Sequence, residues 1–151
     1  EINLLHLLAT ELRKDVFAKL IGARCPAPDD TRWLIYYNIA RWILSRAEAI
    51  QAIIGEEYHS FISHIHLLCI ALQPLAALIS YFESDSSQAC YVIIMCYQAL
   101  RYYNDIAKNM TEFKEGNWRN VIECIADNLE QRFFEGNNGC IYAMLYSITP
   151  A

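Results

Sequence analysis

Residues 31–54 read TRWLIYYNIARWILSRAEAIQAII. Apolar side chains return every three or four positions along them: Ile35, Ile39, Trp42 with Ile43, Ala47, Ile50, then Ile53 with Ile54. That is the period of one helical face, whereas a half-buried strand alternates at every second residue. Asn38, Arg41, Ser45 and Glu48 make a polar row at the same spacing, as the wet side of an amphipathic helix requires. The stretch therefore predicts one long helix that Gly55 closes.

The same period runs outward in both directions. Leu5, Leu8, Leu12, Val16 and Leu20 form one stripe opposite Asn3, His6, Thr10, Arg13 and Lys14, predicting a first helix that ends at Gly22. Cys25-Pro26-Ala27-Pro28-Asp29-Asp30 then reads as a stiff connector with an N-cap at its end. A third helix is expected over residues 56–83. Pro74 lies inside it and removes a ladder hydrogen bond, so a kink is expected near 71–73. Ser84-Asp85-Ser86-Ser87 reads as a stop and a cap. A fourth helix is expected over 87–109, with two adjacent apolar rows and a wet edge of Gln98, Arg101, Asp105 and Lys108. Residues 110–117 read as a polar connector with a short turn at 112–115. A fifth helix follows over 117–134, on a stripe of Trp118, Val121/Ile122, Ile125, Leu129 and Phe133. Gly136-Asn137-Asn138-Gly139 is loop chemistry, and the nine residues 140–148 are helical or extended. The expected fold is all-α, an irregular bundle of about five to six helices in one domain over 1–151, with its core bundle at 30–134.

Composition narrows the function classes. The 151 residues are 55% hydrophobic and 19% charged, with Gly 5 and Pro 4, which excludes disordered and linker-like chains. At this length folding buries roughly 70% of the unfolded surface. A mean hydropathy of +0.14 is high for a free-standing helical domain and points to an interface. No uninterrupted apolar run of about 18 residues occurs, so no membrane partner is expected. The N-terminus does not read as a signal peptide, and a chain beginning at Glu1 is expected to be a piece of something larger. Residues 1–54 carry seven basic groups against six acidic, and residues 55–151 five against eleven. Only the first third is therefore suited to nucleic acid.

Candidate chemistry is sparse. Cys25, Cys69, Cys90, Cys96, Cys124 and Cys140 show no CxxC spacing and read as buried, reduced thiols of an intracellular protein. Cys25, in the connector, is the expected exposed thiol. His59, His64 and His66 lack the i, i+3 or i, i+4 spacing that puts two ligands on one face, and His66 with Cys69 supplies only two. No metal site and no catalytic residue is expected. Asp29-Asp30, Glu56-Glu57 and Glu83-Ser84-Asp85 sit at helix ends, where capping and the helix dipole account for acids at helix starts. The distinctive feature is Asp30-Thr31-Arg32-Trp33, a guanidinium and an indole in the first turn of a helix, which suit a phosphate or an unstacked base.

Three stretches in order resemble hAT-family DNA transposases. Asp30-Thr31-Arg32-Trp33 opens a long helix that continues through Ile39, Ile43 and Ala47-Glu48-Ala49-Ile50. Leu72-Gln73-Pro74-Leu75 and Ala77 lead to Tyr81-Phe82-Glu83-Ser84-Asp85-Ser86. Leu129 and Arg132-Phe133 then precede residues 142–150. The resemblance covers nearly the whole chain and is thinnest over 1–24. It departs after Trp33: the family commonly has a small and a polar residue there, whereas Leu34-Ile35-Tyr36-Tyr37 follow here and favour packing.

The resemblance implies the all-helical insertion that interrupts an RNase-H-like catalytic core. It implies a parent that cuts and pastes DNA with three carboxylates and a divalent metal such as magnesium. None of those carboxylates has a matching position here, so the chain itself is expected to hold no cofactor and to be non-catalytic. The implied partners are DNA, the remaining transposase core and a second copy of the parent, in the nucleus. The implied DNA-binding residues are Trp33 with its neighbour Arg32, to which Arg41 is added on the polar row of the same helix. The competing expectation is a helical protein–protein interaction module with no nucleic-acid role.

Overall fold

A computed structural model describes residues 2–28, 33–54, 59–83, 91–114 and 116–135. Among the described residues the chain is all-helical, with seven α-helices and no strand. They are α1 (Ile2–Leu12), α2 (Asp15–Ile21), α3 (Trp33–Leu44), α4 (Ala47–Ile54), α5 (His59–Phe82), α6 (Val92–Asn109) and α7 (Gly116–Phe133). A 3₁₀ turn, Thr111–Phe113, precedes α7. The expected cap at 84–87 and the segment 140–148 lie outside the described residues.

Backbone contacts divide the chain into two compact units, Glu1–Gln73 and Pro74–Ala151. In the first unit α1 packs against α3. Leu5, Leu8, Ala9 and Leu12 of α1 are buried, as are Tyr36, Tyr37, Ile39, Ala40 and Ile43 of α3. The Tyr36 hydroxyl lies 3.2 Å from His6 Nδ1, tying the two helices at the edge of that face. In the second unit α6 packs against α7, and the 3₁₀ turn touches both. The buried stripe of α6 is Val92, Cys96, Ala99, Tyr103 and Ile106. It runs between the two rows read from sequence, whose other members Ile93, Met95, Leu100 and Tyr102 are half-buried. The α6 edge of Gln98, Arg101, Asp105 and Lys108 is exposed as expected.

Two expected helices are each divided in two. The helix expected over 31–54 breaks at Ser45-Arg46. Arg46 N–H bonds back three residues to Ile43 C=O at 3.1 Å, and Ser45 Oγ donates to Trp42 C=O at 2.8 Å. A serine bonding its own preceding turn competes with the helical ladder and tightens it. The first expected helix breaks at Lys14, which is extended with φ −58° and ψ 141°. That one non-helical residue resets the register. Leu5, Leu8 and Leu12 are buried as the stripe demands, but Val16 and Leu20 are 67% and 64% exposed, and α2 buries no residue.

Helix α5 continues through Pro74, and the boundary between the two units falls there. By length and composition alone its stretch Ser60–Phe82 could cross a membrane. Its polar residues Ser60, Ser63, His64, His66, Gln73 and Ser80 are all exposed, however, while Ile62, Ile65, Cys69, Ala71, Ala76 and Leu78 are buried.

Candidate functional site

Two turns of α3 set Tyr37, Arg41 and Leu44 at i, i+4 and i+7, and two turns of α5 set His66, Cys69, Ile70 and Gln73 at the matching spacing. These seven residues line an open groove of about 310 Å³ within the first unit. Leu44 and Ile70 are half-buried, and Tyr37 and Cys69 are buried. Arg41, His66 and Gln73 are exposed on the rim. The groove therefore has an apolar base and three polar side chains that can donate hydrogen bonds.

Arg41 is held by its own helix. Its guanidinium carbon lies 5.9 Å from the centre of the Tyr37 ring one turn earlier, a cation–π contact worth about 0.5–1 kcal/mol at an exposed site. No carboxylate among the described residues pairs with it, since the ion pairs there are Lys14–Glu11, Arg24–Asp15 and Arg119–Glu123. A second pair repeats the arrangement: Arg46 sits 4.8 Å over the Trp42 ring, its Nη1 donating to Ser45 Oγ at 2.8 Å. Aromatic-x-x-x-Arg occurs twice within residues 37–46, a signal that the sequence carried. His66 and Gln73 carried none, because only tertiary packing brings α5 beside α3.

The thiols near these arginines are not nucleophiles. Burial pushes Cys69 up to about 11, with Arg41 pulling more weakly the other way. Burial likewise raises Cys25 to about 11 against the pull of Arg13 and Arg46. Both remain thiols at neutral pH, and a reactive cysteine needs the opposite shift. Cys25 is 1% exposed, not the open thiol expected of a connector residue. Arg13 Nη1 donates to the Cys25 carbonyl at 2.8 Å and pins that turn down. The exposed thiol among the described cysteines is Cys124, on α7.

The sequence-derived site residues are distributed unevenly. Arg32 lies outside the described residues, and Trp33 is the first residue of α3. Arg41 follows eight positions later, on the exposed side of the same helix. Tyr36 and Tyr37, which follow in the first turns of α3, are buried. Asp29, Asp30, Glu56, Glu57 and Asp85 lie outside the described residues. Among those described, no three His, Cys, Asp or Glu side chains could hold a metal ion. The groove thus presents the Arg41 guanidinium on its rim, and its cysteine is held as a protonated thiol. Comparison with protein-family models, with curated proteins and with solved structures finds no match.

Proposed function

We propose that the chain is a non-catalytic helical part of a hAT-like DNA transposase that meets transposon-end DNA along α3. The observation that carries this reading is Arg41, exposed beside an open groove and stacked on Tyr37. The planar fork of an arginine matches a phosphate's oxygens, and holding it beside the Tyr37 ring beforehand reduces the entropy lost on binding. Trp33, the first residue of that helix, and its sequence neighbour Arg32 are the other two residues of this reading, carried by the motif that they share. The three motif stretches, in the family's order, support the parentage. In that setting the catalytic carboxylates and their magnesium belong to the rest of the parent. The partners are its core, a second copy and nuclear DNA.

A specific observation favours a second reading, a helical interaction module. Leu4 and Leu7 on α1 are 52% and 62% exposed, alongside Val16 and Leu20 on α2, and large exposed aliphatic residues of this kind are typical of interfaces. Fluorescence anisotropy with a labelled DNA duplex over a salt series separates the two. On the first reading affinity falls steeply with salt, and Arg41→Ala lowers the slope of log K against log salt by about 1. Arg32→Ala and Trp33→Ala weaken binding as well. Absence of binding at low salt removes the nucleic-acid role and leaves the interaction module.

A further inference from the structure

We propose that the α3–α5 groove accepts one unpaired nucleotide, either free or at the open end of a strand. The inference rests on Arg41 as the phosphate contact of the function proposed above, and adds what the rest of the groove recognises. Its rows span seven residue steps on each helix, from Tyr37 to Leu44 and from His66 to Gln73. Seven steps of helix rise about 10 Å, room for one nucleotide. A volume of about 310 Å³ lies at the lower end of the ~300–1,000 Å³ span of small-ligand pockets. The polar groups are divided between the helices: a fixed positive charge at Arg41 and a neutral amide at Gln73, with half-buried Leu44 of α3 and Ile70 of α5 completing the lining.

That division separates the duties. Arg41 takes phosphate oxygens through its fork. Gln73 offers a donor and an acceptor in one plane, the arrangement that pairs with a base edge, adenine's in particular. Leu44 and Ile70 cover the apolar face of the sugar and base. His66 is a further ring nitrogen on the rim, one turn from Cys69 and two turns from Gln73. No bond is made or broken, since Cys69 stays a protonated thiol.

Calorimetric titration of the full chain tests this with adenosine 5′-monophosphate, inorganic phosphate and adenosine as separate probes. The monophosphate is expected to bind at least tenfold tighter than either fragment. Arg41→Ala weakens it about tenfold, as loss of a charged hydrogen bond should. Gln73→Ala weakens it about threefold and leaves phosphate unchanged. Both side chains are exposed, so the variants keep the fold, which circular dichroism checks. Arg46→Ala, outside the groove, leaves the affinity unaltered. A short single strand displacing the monophosphate identifies a strand end as the source; failure to displace it identifies a free nucleotide. The proposal is overturned if the monophosphate binds no tighter than phosphate, or if neither groove variant weakens it. Duplex binding that depends on Arg41, without monophosphate binding, overturns the groove and keeps the DNA reading. Monophosphate binding without any DNA binding keeps the groove and removes that reading.

Discussion

Phe113 meets Trp118 edge to face, with ring centroids 6.0 Å apart and planes at 77°. The contact joins the 3₁₀ turn to the first turns of α7, and Phe113 is completely buried. A connector rich in Thr, Glu and Lys is thus nailed to the α6–α7 pair by its one aromatic residue. Phe113→Ala should destabilise the second unit by about 3–5 kcal/mol, the usual cost of emptying a buried Phe site. Glu112→Ala beside it is exposed and should change stability by less than about 0.5 kcal/mol. Urea unfolding monitored through Trp118, with the other tryptophans replaced by Phe, measures both. Equal effects would mean that the turn is not an anchor.

Thiol labelling should rank the cysteines by burial. Cys124 is exposed, whereas Cys25, Cys69 and Cys96 are buried and raised to about 11. With iodoacetamide at pH 8, peptide mapping should find Cys124 modified well before the other three, and urea should abolish the ranking. The reagent attacks thiolate, so burial acts twice, through access and through proton affinity. Early modification of Cys25 would show that the Arg13 contact does not hold its turn.

The same shifts set an alkaline limit. The three thiols bind their protons more tightly folded, near 11, than at the ordinary value of 9.0. Burial also pushes the Tyr103 phenol upward. Between about pH 9 and 11 the unfolded chain has lost protons that the folded chain retains, so stability falls as pH rises. It is fully present below about pH 9. Each thiol contributes up to about 1.4 kcal/mol per pH unit in that window. The urea midpoint should be flat from pH 7 to 8.5 and decline from pH 9. Replacing Cys25, Cys69 and Cys96 by Ala should flatten that decline after allowance for the lost packing.

What the sequence disclosed follows from the range of the forces involved. Helical period is local, so α6 and α7 were legible to within a few residues, and α7 begins one residue before the expected 117. Breaks were not legible, because they depend on one backbone angle at Lys14 and one side-chain hydrogen bond at Ser45. Neither residue is a Gly or a Pro. Pro74, read as lying inside the helix expected over 56–83, does lie inside α5. Half of the groove could be read from the spacing of Tyr37 and Arg41. Its other half, His66 and Gln73, is nonlocal and left no trace in the order of residues.

The register reset at Lys14 makes a sharp mutational contrast. Leu12 and Leu20 belong to one stripe in the sequence, yet Leu12 is completely buried and Leu20 is 64% exposed. Leu12→Ala should cost about 2–5 kcal/mol, while Leu20→Ser should stay within about 0.5 kcal/mol and improve solubility. Thermal melts at matched concentration decide it. Comparable losses at both positions would require a continuous helix through Lys14.

Gly22 closes α2 with φ +75° and ψ 8°, in the left-handed region. A Cβ there would meet no heavy atom within 4 Å, so the space is open and only the backbone objects. An L-residue in this conformation pays for the approach of its Cβ to the neighbouring carbonyl, about 1 kcal/mol. Gly22→Ala should therefore destabilise the first unit by about that amount. D-Ala at the same position, introduced by semisynthesis, suffers no such strain and restricts the unfolded chain, so it should match or exceed the glycine. The turn also carries Arg24 onto Asp15 in the first turn of α2, an exposed pair worth at most about 1 kcal/mol. Arg24→Ala is the control that separates this pair from the glycine. If D-Ala and L-Ala destabilise equally, the cost lies in crowding at the site and not in handedness, and the cap is not what ends α2.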